Sequence, residues 1–218
     1  KYGTRTYMRV AKHDCALCPR LVSYRDQNRA AFPDWHNGPV QSFGSLGSEL
    51  LILGLAPGVR GANKTGRPFT GDFAGDLLYL TLSAYRFSSG TYDSSPYDGV
   101  ELINCRIANA VRCVPPQNKP VGAEIKACAP FLEEEIAAMK NLKLILALGT
   151  IAHNSALNVF GHRKALFKFG HNQLHAFEHS PYILDSYHCS RYNTNTGRLT
   201  TQMFHDVFDR IRQIIPLS

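Results

Sequence analysis

The sequence has no long apolar run and little charge, and both absences narrow the class of protein. No stretch approaches the roughly 18 apolar residues that a membrane-spanning helix needs. The densest apolar stretches, Glu49–Leu55 and Leu142–Leu148, have the length of a strand. Charged residues make up 19% of the chain, which is too few for a disordered basic tail. The polar segment Lys1–Lys12 lacks the apolar core of a secretory signal. We therefore exclude an integral membrane protein, a fibrous protein and a disordered tail.

Two phosphate-binding signatures are also missing. Neither GxxxxGK[ST] nor GxGxxG occurs, so we expect no nucleotide cofactor. What is present is the composition of a globular domain. Of the 218 residues 44% are apolar, and the length corresponds to one domain. Lys and Arg number 24 against 17 Asp and Glu, which gives a formal net charge of +7.

The six cysteines fit a reduced chain better than a disulfide framework. The chain is long enough to bury a core without disulfides, and no secretory signal is evident. Cys15 and Cys18 form a C-x-x-C pair, and Cys113 and Cys128 form a second, wider pair. This pattern predicts a four-thiolate metal site, with scattered core cysteines as the alternative. The spacing does not distinguish zinc from iron–sulfur, and Cys105 and Cys189 have no evident partner.

Strand-like apolar stretches alternate with segments of helical periodicity, which predicts a parallel sheet with helices on both faces. The predicted strands are Glu49–Leu55, Leu102–Val111, Lys143–Leu148 and Tyr182–Tyr187. The predicted helices are Ala74–Phe87, Ala123–Lys140, Thr150–Phe160 and a last helix with Leu199, Met203, Val207, Ile211 and Ile215 on one face. The stretch Ser88–Gly99 is predicted to be a surface loop.

In open α/β sheets the active crevice lies beyond the carboxyl ends of the strands. This rule selects four segments that follow the predicted strands, at 54–72, 109–113, 149–153 and 188–198. Three of the four carry polar, Gly-rich or basic residues where a plain turn would suffice. Each candidate in them also has a structural interpretation. Asp72 could serve only as a helix N-cap, His188 as a hydrogen-bonded structural histidine and Asn109 as a turn cap. A loop as long as 54–71 is more often a binding element than a plain connection.

Four ordered segments carry a resemblance to a known family. They are CALC at 15–18, GLAPG with NKTGRPFTGD ending at 72, NAVRCVPPQNKP at 109–120 with AC at 127–128, and HCSRYNTNTGRLT at 188–200. Over about Ala11 to Ile215 the chain resembles the iron–sulfur uracil-DNA glycosylases of type B, also called family 5. The resemblance implies one domain over residues 1–218, with a cluster-binding segment at about 11–32. It also implies an α/β fold, a three-layer α/β/α sandwich around a short, mainly parallel four-stranded sheet.

The resemblance further implies a cofactor and an activity. The cofactor is a [4Fe–4S] cluster on Cys15, Cys18, Cys113 and Cys128. The activity is that of a monofunctional DNA glycosylase, which flips out uracil, or another deaminated base such as hypoxanthine, and hydrolyses its N-glycosidic bond. Such an enzyme initiates base excision repair. The implied partner is DNA containing such bases, and we expect a monomer in the cytoplasm, associated with the nucleoid, with no membrane partner.

Residue roles follow from the same resemblance. Asp72 would stabilise the cationic sugar and orient or deprotonate the attacking water, and His188 would hydrogen-bond the developing oxyanion at uracil O2. Phe69 would stack on the base and Asn109, counted with the catalytic residues, would read its Watson–Crick edge. Main-chain groups of Gly54, Leu55 and Ala56 would line the pocket. The residues expected to contact DNA are Arg60, Lys64, Arg67, Ser190, Arg191, Tyr192 and Asn193.

The chain departs from the family pattern at two positions. Cys189 replaces the proline of the usual His-Pro-Ser, which we expect to loosen the loop that enters DNA. Leu55 stands where related families carry a water-activating carboxylate. This change is typical of type B and leaves Asp72 as the best candidate for a catalytic carboxylate.

Two other classes of protein compete with an enzyme as interpretations of the sequence. One is a catalytically silent uracil- or DNA-binding module acting as a partner subunit. The other is a redox or zinc-bearing DNA-binding protein, which gives Asp72 and His188 no role.

Overall fold

A strand of uninterrupted aliphatic side chains, β2 (Leu50–Gly54), lies in the middle of a mainly parallel sheet in the computed structural model, which describes residues 8–217. β2 pairs in parallel with β5 (Cys105–Asn109) on one side and with β6 (Leu144–Leu148) on the other. β8 (Tyr182–Ser186) pairs in parallel with β6. Every residue of β2, β5 and β6 is buried, as is typical of parallel strands covered on both faces.

Two short strands add to the predicted sheet. β1 (Phe43–Gly44) pairs antiparallel with β5, and β7 (Leu174–His175) pairs antiparallel with β8. Within residues 8–217 the sheet therefore has six strands, in the order β1–β5–β2–β6–β8–β7. The predicted fold class and its four parallel strands are confirmed, and the strand count differs by the two edges. Strands of two residues escape prediction because they are too short to show a period.

The predicted strand Leu102–Val111 is divided in the structure. Its first part belongs to a separate antiparallel pair, β3 (Ser88–Ser89) with β4 (Glu101–Leu102). The chain then turns at Asn104, which has a left-handed φ of 50°, before β5 begins. Asn adopts this conformation more readily than most residues, so the turn is consistent with the local sequence.

The helices observed over 122–138, 150–159 and 201–214 match predicted ones, and the helix at 73–84 ends three residues early. None of the helices among residues 8–217 has both the length and the apolarity of a membrane span. The helices are α1 (Pro19–Ala31), α2 (Ala62–Thr65), α3 (Phe73–Ala84), α4 (Gly122–Ala138), α5 (Thr150–Val159), α6 (Arg191–Asn195) and α7 (Thr201–Ile214). Of these, α1, α2 and α6 were not predicted from the sequence.

Alternate residues of β2 divide the core into two layers. Leu50 and Ile52 pack in one cluster with side chains of α3 and α7. Leu51 and Leu53 pack in the other with side chains of α4 and α5. Successive side chains of a strand point to opposite faces of the sheet, so α3 and α7 cover one face and α4 and α5 cover the other. This is the α/β/α sandwich.

The N-terminal segment forms a third, smaller cluster. Leu21 of α1 packs with Val111, which follows β5, and with Phe131 of α4. Arg20 of α1 pairs with the buried Glu124 of α4, with Nε 2.7 Å from Oε1. Helix α1 was missed because much of its length is polar and only one apolar side chain, Leu21, is buried.

Candidate functional site

The carboxyl ends of β2, β5 and β8 lead into loops that enclose a cavity of about 650 Å³, which we call the base pocket. β2 and β5 end in register, with Gly54 opposite Asn109. Three of the four predicted loop segments contribute residues to the lining of the base pocket, and the segment 149–153 does not. The lining residues are Leu55–Gly58, Arg60, Ala62, Phe69, Gly71–Ala74, Asn109, Asn118, His188, Ser190 and Arg191.

Gly54, Phe69 and Asn109 are in close contact beside the base pocket. A Cβ atom on Gly54 would lie 2.4 Å from Asn109 Oδ1 and 2.6 Å from the Phe69 ring, so only glycine permits this approach. Asn109 is buried, and its Oδ1 has no hydrogen-bond partner among the described residues. Phe69 is buried with a left-handed φ of 51°, an unfavourable conformation that is commonest at functional sites. The contact thus presents an aromatic face beside an unsatisfied amide.

Asp72 is both a helix cap and a pocket residue. Its Oδ1 accepts a hydrogen bond from the Gly75 amide at 3.2 Å and caps α3. Its Oδ2 faces the main chain of the preceding loop: a Cβ atom on Gly61 would lie 2.2 Å from it, and one on Gly58 would lie 3.0 Å away. Burial raises the pKa of Asp72 and outweighs the lowering effect of the Gly75 amide. The cap and the site are therefore compatible interpretations of one residue.

His188 also lines the base pocket, as a neutral ring next to Phe69. Its ring centroid is 5.8 Å from that of Phe69, with the planes 27° apart. Burial lowers the pKa of His188 to about 4, so the imidazole is uncharged near pH 7 and retains one N–H to donate. Asn193 Nδ2 donates to the His188 carbonyl at 2.8 Å. Asn193, predicted to contact DNA, therefore also holds His188 in place.

The predicted DNA-contacting cations have different locations. Arg60 and Arg191 are exposed and line the base pocket, and the Arg191 guanidinium lies 5.5 Å from the Phe73 ring centroid. Lys64 is exposed but lines a neighbouring groove. Arg67 differs from the prediction: its buried side chain forms two hydrogen bonds of 2.7 Å to Asp98. Arg67 and Asp98 form a structural ion pair, so Arg67 is not available to a phosphate.

The remaining residues of the loop after β8 have separate roles. Ser190 lines the base pocket and caps α6, its Oγ accepting from the Asn193 amide at 3.4 Å. Tyr192 is 74% exposed. Cys189 is buried, and its thiol donates to the Ala74 carbonyl. Four pocket residues were not singled out from the sequence: Ala62, Phe73, Ala74 and Asn118, the last of which lies inside the 109–120 motif.

The four paired cysteines surround one small cavity. It is lined by Cys15, Cys18, Cys113 and Cys128 and walled by apolar side chains such as Leu21 and Phe131. All four are free thiols. Burial raises the pKa of Cys18 to about 11 and that of Cys113 to about 12, while the Arg112 amide donates to Cys128 Sγ at 3.3 Å. An all-sulfur donor set with apolar walls fits an iron–sulfur cluster. Cys105 and Cys189 lie elsewhere in the core.

A second group of ligand-type side chains lies apart from the cysteines. His153, His175 and Asp185 are buried, with ligand atoms within 4.8 Å of one another. His153 Nδ1 is 2.8 Å from Asp185 Oδ1, and His175 Nε2 is 2.9 Å from Asp185 Oδ2. These contacts form a hydrogen-bonded network. In the sequence, only the position of His153 after a predicted strand indicated a place near a site.

The base pocket combines an aromatic face, an unsatisfied amide, a half-buried carboxylate and a neutral imidazole at the carboxyl edge of a parallel sheet. These are the features of a site that suits a flat ring with hydrogen-bonding edges. Comparison with known proteins agrees. The model of the uracil DNA glycosylase superfamily matches residues 41–212.

Individual relatives match over most of their length. The type-5 uracil-DNA glycosylase of Thermus thermophilus is 41% identical over 209 residues, which covers 93% of this chain and 94% of the relative. That of Pyrobaculum aerophilum is 37% identical and covers 90% of this chain and 87% of the relative. A type-4 uracil-DNA glycosylase of Pyrobaculum aerophilum is 33% identical over 140 residues, covering 64% of this chain and 57% of the relative. The chain belongs to the type-5 branch of the uracil-DNA glycosylase superfamily, and the predicted family is confirmed.

Proposed function

We propose that this chain hydrolyses the N-glycosidic bond of uracil in DNA, after the nucleotide has rotated out of the base stack. The observation that carries the proposal is the convergence of Phe69, Asn109, Asp72 and His188 on one cavity of about 650 Å³. The type-5 relatives, named for this activity, support it.

The base would be recognised by stacking and by its edge. Phe69 offers a face for the ring, and the unsatisfied Oδ1 of Asn109 would accept the N3–H of uracil. The amide NH2 of the same side chain would donate to O4. Cytosine presents an acceptor at N3 and a donor at C4, so both contacts would be lost and buried polar groups left unpaired.

Cleavage would use a carboxylate on the sugar side of the breaking bond and a hydrogen-bond donor on the base side. As the C1′–N1 bond breaks, its electron pair goes to the base and the sugar gains cationic character. The Asp72 carboxylate would stabilise that cation and accept a proton from the water that attacks C1′. Neutral His188 would donate a hydrogen bond to the O2 atom, where negative charge develops. The departing uracil anion would then take its proton from solvent.

The exposed rim of the pocket would bind the DNA backbone. Arg60 and Arg191 are exposed where they line the pocket, and the net charge of +7 favours a polyanion. Tyr192, which is exposed and follows Arg191 in the chain, would fill the gap left by the extruded base. Acting on DNA, the chain would work as a monomer and a single domain in the cytoplasm, at the nucleoid.

A [4Fe–4S] cluster would be held by Cys15, Cys18, Cys113 and Cys128, which surround one cavity. When bound, the cluster supplies no chemistry to base removal and acts as a structural link. These cysteines come from the segment before α1, the loop after β5 and helix α4. The cluster would therefore join the N-terminal segment to the sandwich.

The same edge recognition extends to hypoxanthine. In that base N1–H and O6 are adjacent, as N3–H and O4 are in uracil, so Asn109 would meet the same donor and acceptor. We propose hypoxanthine as a second substrate on this chemical ground.

Release of the free base from duplex oligonucleotides carrying uracil, hypoxanthine or cytosine at one position tests the proposal. Uracil and hypoxanthine should be released, and cytosine should not. Asn109→Ala should abolish the discrimination, whereas Asn158→Ala, a change at an exposed residue of α5, should not. Tight binding of uracil DNA without release of base would instead identify a catalytically silent module.

A further inference from the structure

A second groove, of about 640 Å³, adjoins the base pocket and shares Arg60 and Gly71 with it. We call it the flank groove. Trp35, Lys64 and Tyr97 line the flank groove, whereas Asp72 lines only the base pocket. Because Arg60 and Gly71 line both cavities, the neighbours of a nucleotide in the base pocket lie within reach of the flank groove.

The flank groove presents two aromatic rings. Trp35 stacks on Phe32 with centroids 3.9 Å apart and planes 7° apart, which fixes the plane of the indole. Tyr97 is 94% exposed. A large ring left almost wholly in water is informative when it borders a groove, because such side chains gain most from being covered.

The loop that carries Tyr97 is firmly anchored. The neighbouring Asp98 forms the bidentate pair with Arg67 and also accepts from the Val100 amide at 3.0 Å. Earlier in the same loop, the Tyr92 hydroxyl accepts from the Gly71 amide at 3.2 Å. The backbone at Tyr97 is therefore held in place relative to the base pocket, which lowers the entropy that the loop loses when a ligand binds.

The charge of the flank groove suits an anion. Arg60 and Lys64 are exposed, and Asp34 is the acidic residue that lines it among the residues described. Burial lowers the pKa of His36, which also lines it, so that ring is neutral near pH 7. Lys64 Nζ lies 5.8 Å from the Trp35 ring centroid, so a cation and a stacking surface are adjacent.

We propose that the flank groove binds unpaired nucleotides next to the extruded base, with bases stacked on Trp35 and Tyr97 and phosphates on Arg60 and Lys64. A positive groove with aromatic platforms is how proteins bind single-stranded nucleic acid. The bases of an intact duplex are stacked on each other and offer no free face to these rings. The inference rests on the proposed function, and it assigns to this chain a preference for uracil in single-stranded or locally open DNA.

Binding of a thymidine oligonucleotide and of a matched duplex, each lacking uracil, tests this inference without any base release. Tyr97→Ala should weaken single-strand binding about five- to tenfold, the effect of losing one stacked base, and leave duplex binding within about twofold. Tyr97→Phe, which keeps the ring, should bind like the parent. Lys64→Ala should make the log–log salt slope for single strands shallower by about 0.7. The matched control is Tyr182→Ala, which removes an exposed tyrosine at the amino end of β8.

The outcomes separate this inference from the proposed function. If Tyr97→Ala weakens single-strand and duplex binding equally, or weakens neither, the proposed role of the flank groove in single-strand binding is overturned. Uracil release by the parent together with an unaffected Tyr97→Ala variant overturns the groove alone. If the parent releases no uracil but Tyr97→Ala still weakens single-strand binding, the proposal for the flank groove stands and the proposed activity is overturned.

Discussion

The Sγ atom of Cys189 lies 3.4 Å from the carbonyl oxygen of Ala74, and this contact joins the loop of His188 to the first turn of α3. Asp72 caps the same helix, so the thiol couples the two groups proposed to act on opposite ends of the breaking bond. Cys189 has no exposed surface. Where the family pattern has a rigid proline, packing and a hydrogen bond anchor the loop in this chain, contrary to the loosening expected from the sequence.

Cys189→Ala should therefore affect both stability and rate. Loss of a buried sulfur should lower the free energy of unfolding by about 1–2 kcal/mol, and the freed loop should slow single-turnover uracil release while the Kd for DNA stays unchanged. Cys105→Ala is the matched control, because Cys105 is equally buried in the same cluster but remote from the loop. A rate loss no larger for Cys189→Ala than for Cys105→Ala would show that the contact with Ala74 has no positioning role.

Arg67 and Arg191 should respond in opposite ways to truncation. Arg67→Ala leaves Asp98 buried without its partner, so the free energy of unfolding should fall by about 3–5 kcal/mol. Arg191→Ala removes an exposed cation at the pocket rim, so stability should be unchanged and the log–log salt slope of duplex binding should become shallower by about 0.9. Chemical denaturation and binding titrations at several salt concentrations measure both effects. An unchanged slope for Arg191→Ala would place Arg191 away from the phosphates.

The four cysteines around the small cavity predict a coloured protein. The chain purified without oxygen should absorb near 400 nm, and Cys128→Ser should lose that absorbance and melt at a lower temperature, because metal-site free energy is folding free energy. Cys105→Ser should retain the colour. If the parent is colourless and contains zinc, the four cysteines still form a metal site but the iron–sulfur assignment is wrong.

The parts of the site that could be predicted are those with a local signal in the sequence. Strand ends followed by Gly-rich or polar loops indicated the segments of Asp72, Asn109 and His188, and the parallel sheet brings these segments together. Arg67 shows the limit of such reasoning. Its burial depends on Asp98, which lies in a loop with no periodic pattern, so nothing near Arg67 in the sequence distinguishes an ion pair from a phosphate contact.

The flank groove could not be predicted for a related reason. Trp35 follows a helix that the sequence did not indicate, and Tyr97 belongs to a segment predicted only as a surface loop. Long-range packing brings both beside Lys64 of α2. The two-residue edge strands and the short helices α2 and α6 were missed because they are shorter than the window in which a period can be detected.

The buried network of His153, His175 and Asp185 predicts that the free energy of unfolding falls as the pH rises above about 6.5. His153 Nδ1 faces Asp185 Oδ1 at 2.8 Å and its Nε2 faces the Phe167 carbonyl at 2.9 Å. Two acceptor partners favour the imidazolium form, which donates from both nitrogens. Burial alone would lower the pKa of His153, but the hydrogen bond and charge of Asp185 outweigh it and raise that pKa above its usual 6.5. The stabilising contribution is therefore complete below about pH 6.5 and is lost as the pH rises through the raised value.

Urea unfolding of the parent and of His153→Asn between pH 6.5 and 9 measures this loss. The free energy of unfolding of the parent should fall with rising pH, and that of His153→Asn should be lower overall but less dependent on pH. His188 contributes with the opposite sign, since its pKa is lowered to about 4, and its effect falls below pH 6.5, outside this window. Equal pH dependence in the two proteins would mean that His153 is neutral in the native state.

Asp72→Asn decides between a helix cap and a reacting group. Asn caps a helix about as well as Asp, so the free energy of unfolding should change little and binding of uracil DNA should persist. The charge and basicity are lost, so single-turnover release of uracil should fall by roughly 10²–10⁴-fold. In the parent, release should also decline in acid through the pKa of Asp72, which burial raises.

The control for Asp72→Asn is Asp76→Asn, a change at the other acidic residue beside the start of α3, whose Oδ1 accepts from Ser94 Oγ at 3.2 Å. It should leave the rate within a few-fold of the parent, because Asp76 does not line the base pocket. His188→Ala should slow release by about 10²-fold, the scale for one oxyanion donor. The double variant should lose less than the product of the two effects, because both residues serve one transition state. A stable Asp72→Asn protein that releases uracil at the parent rate would return Asp72 to the role of a cap, and the attacking water would then need another base.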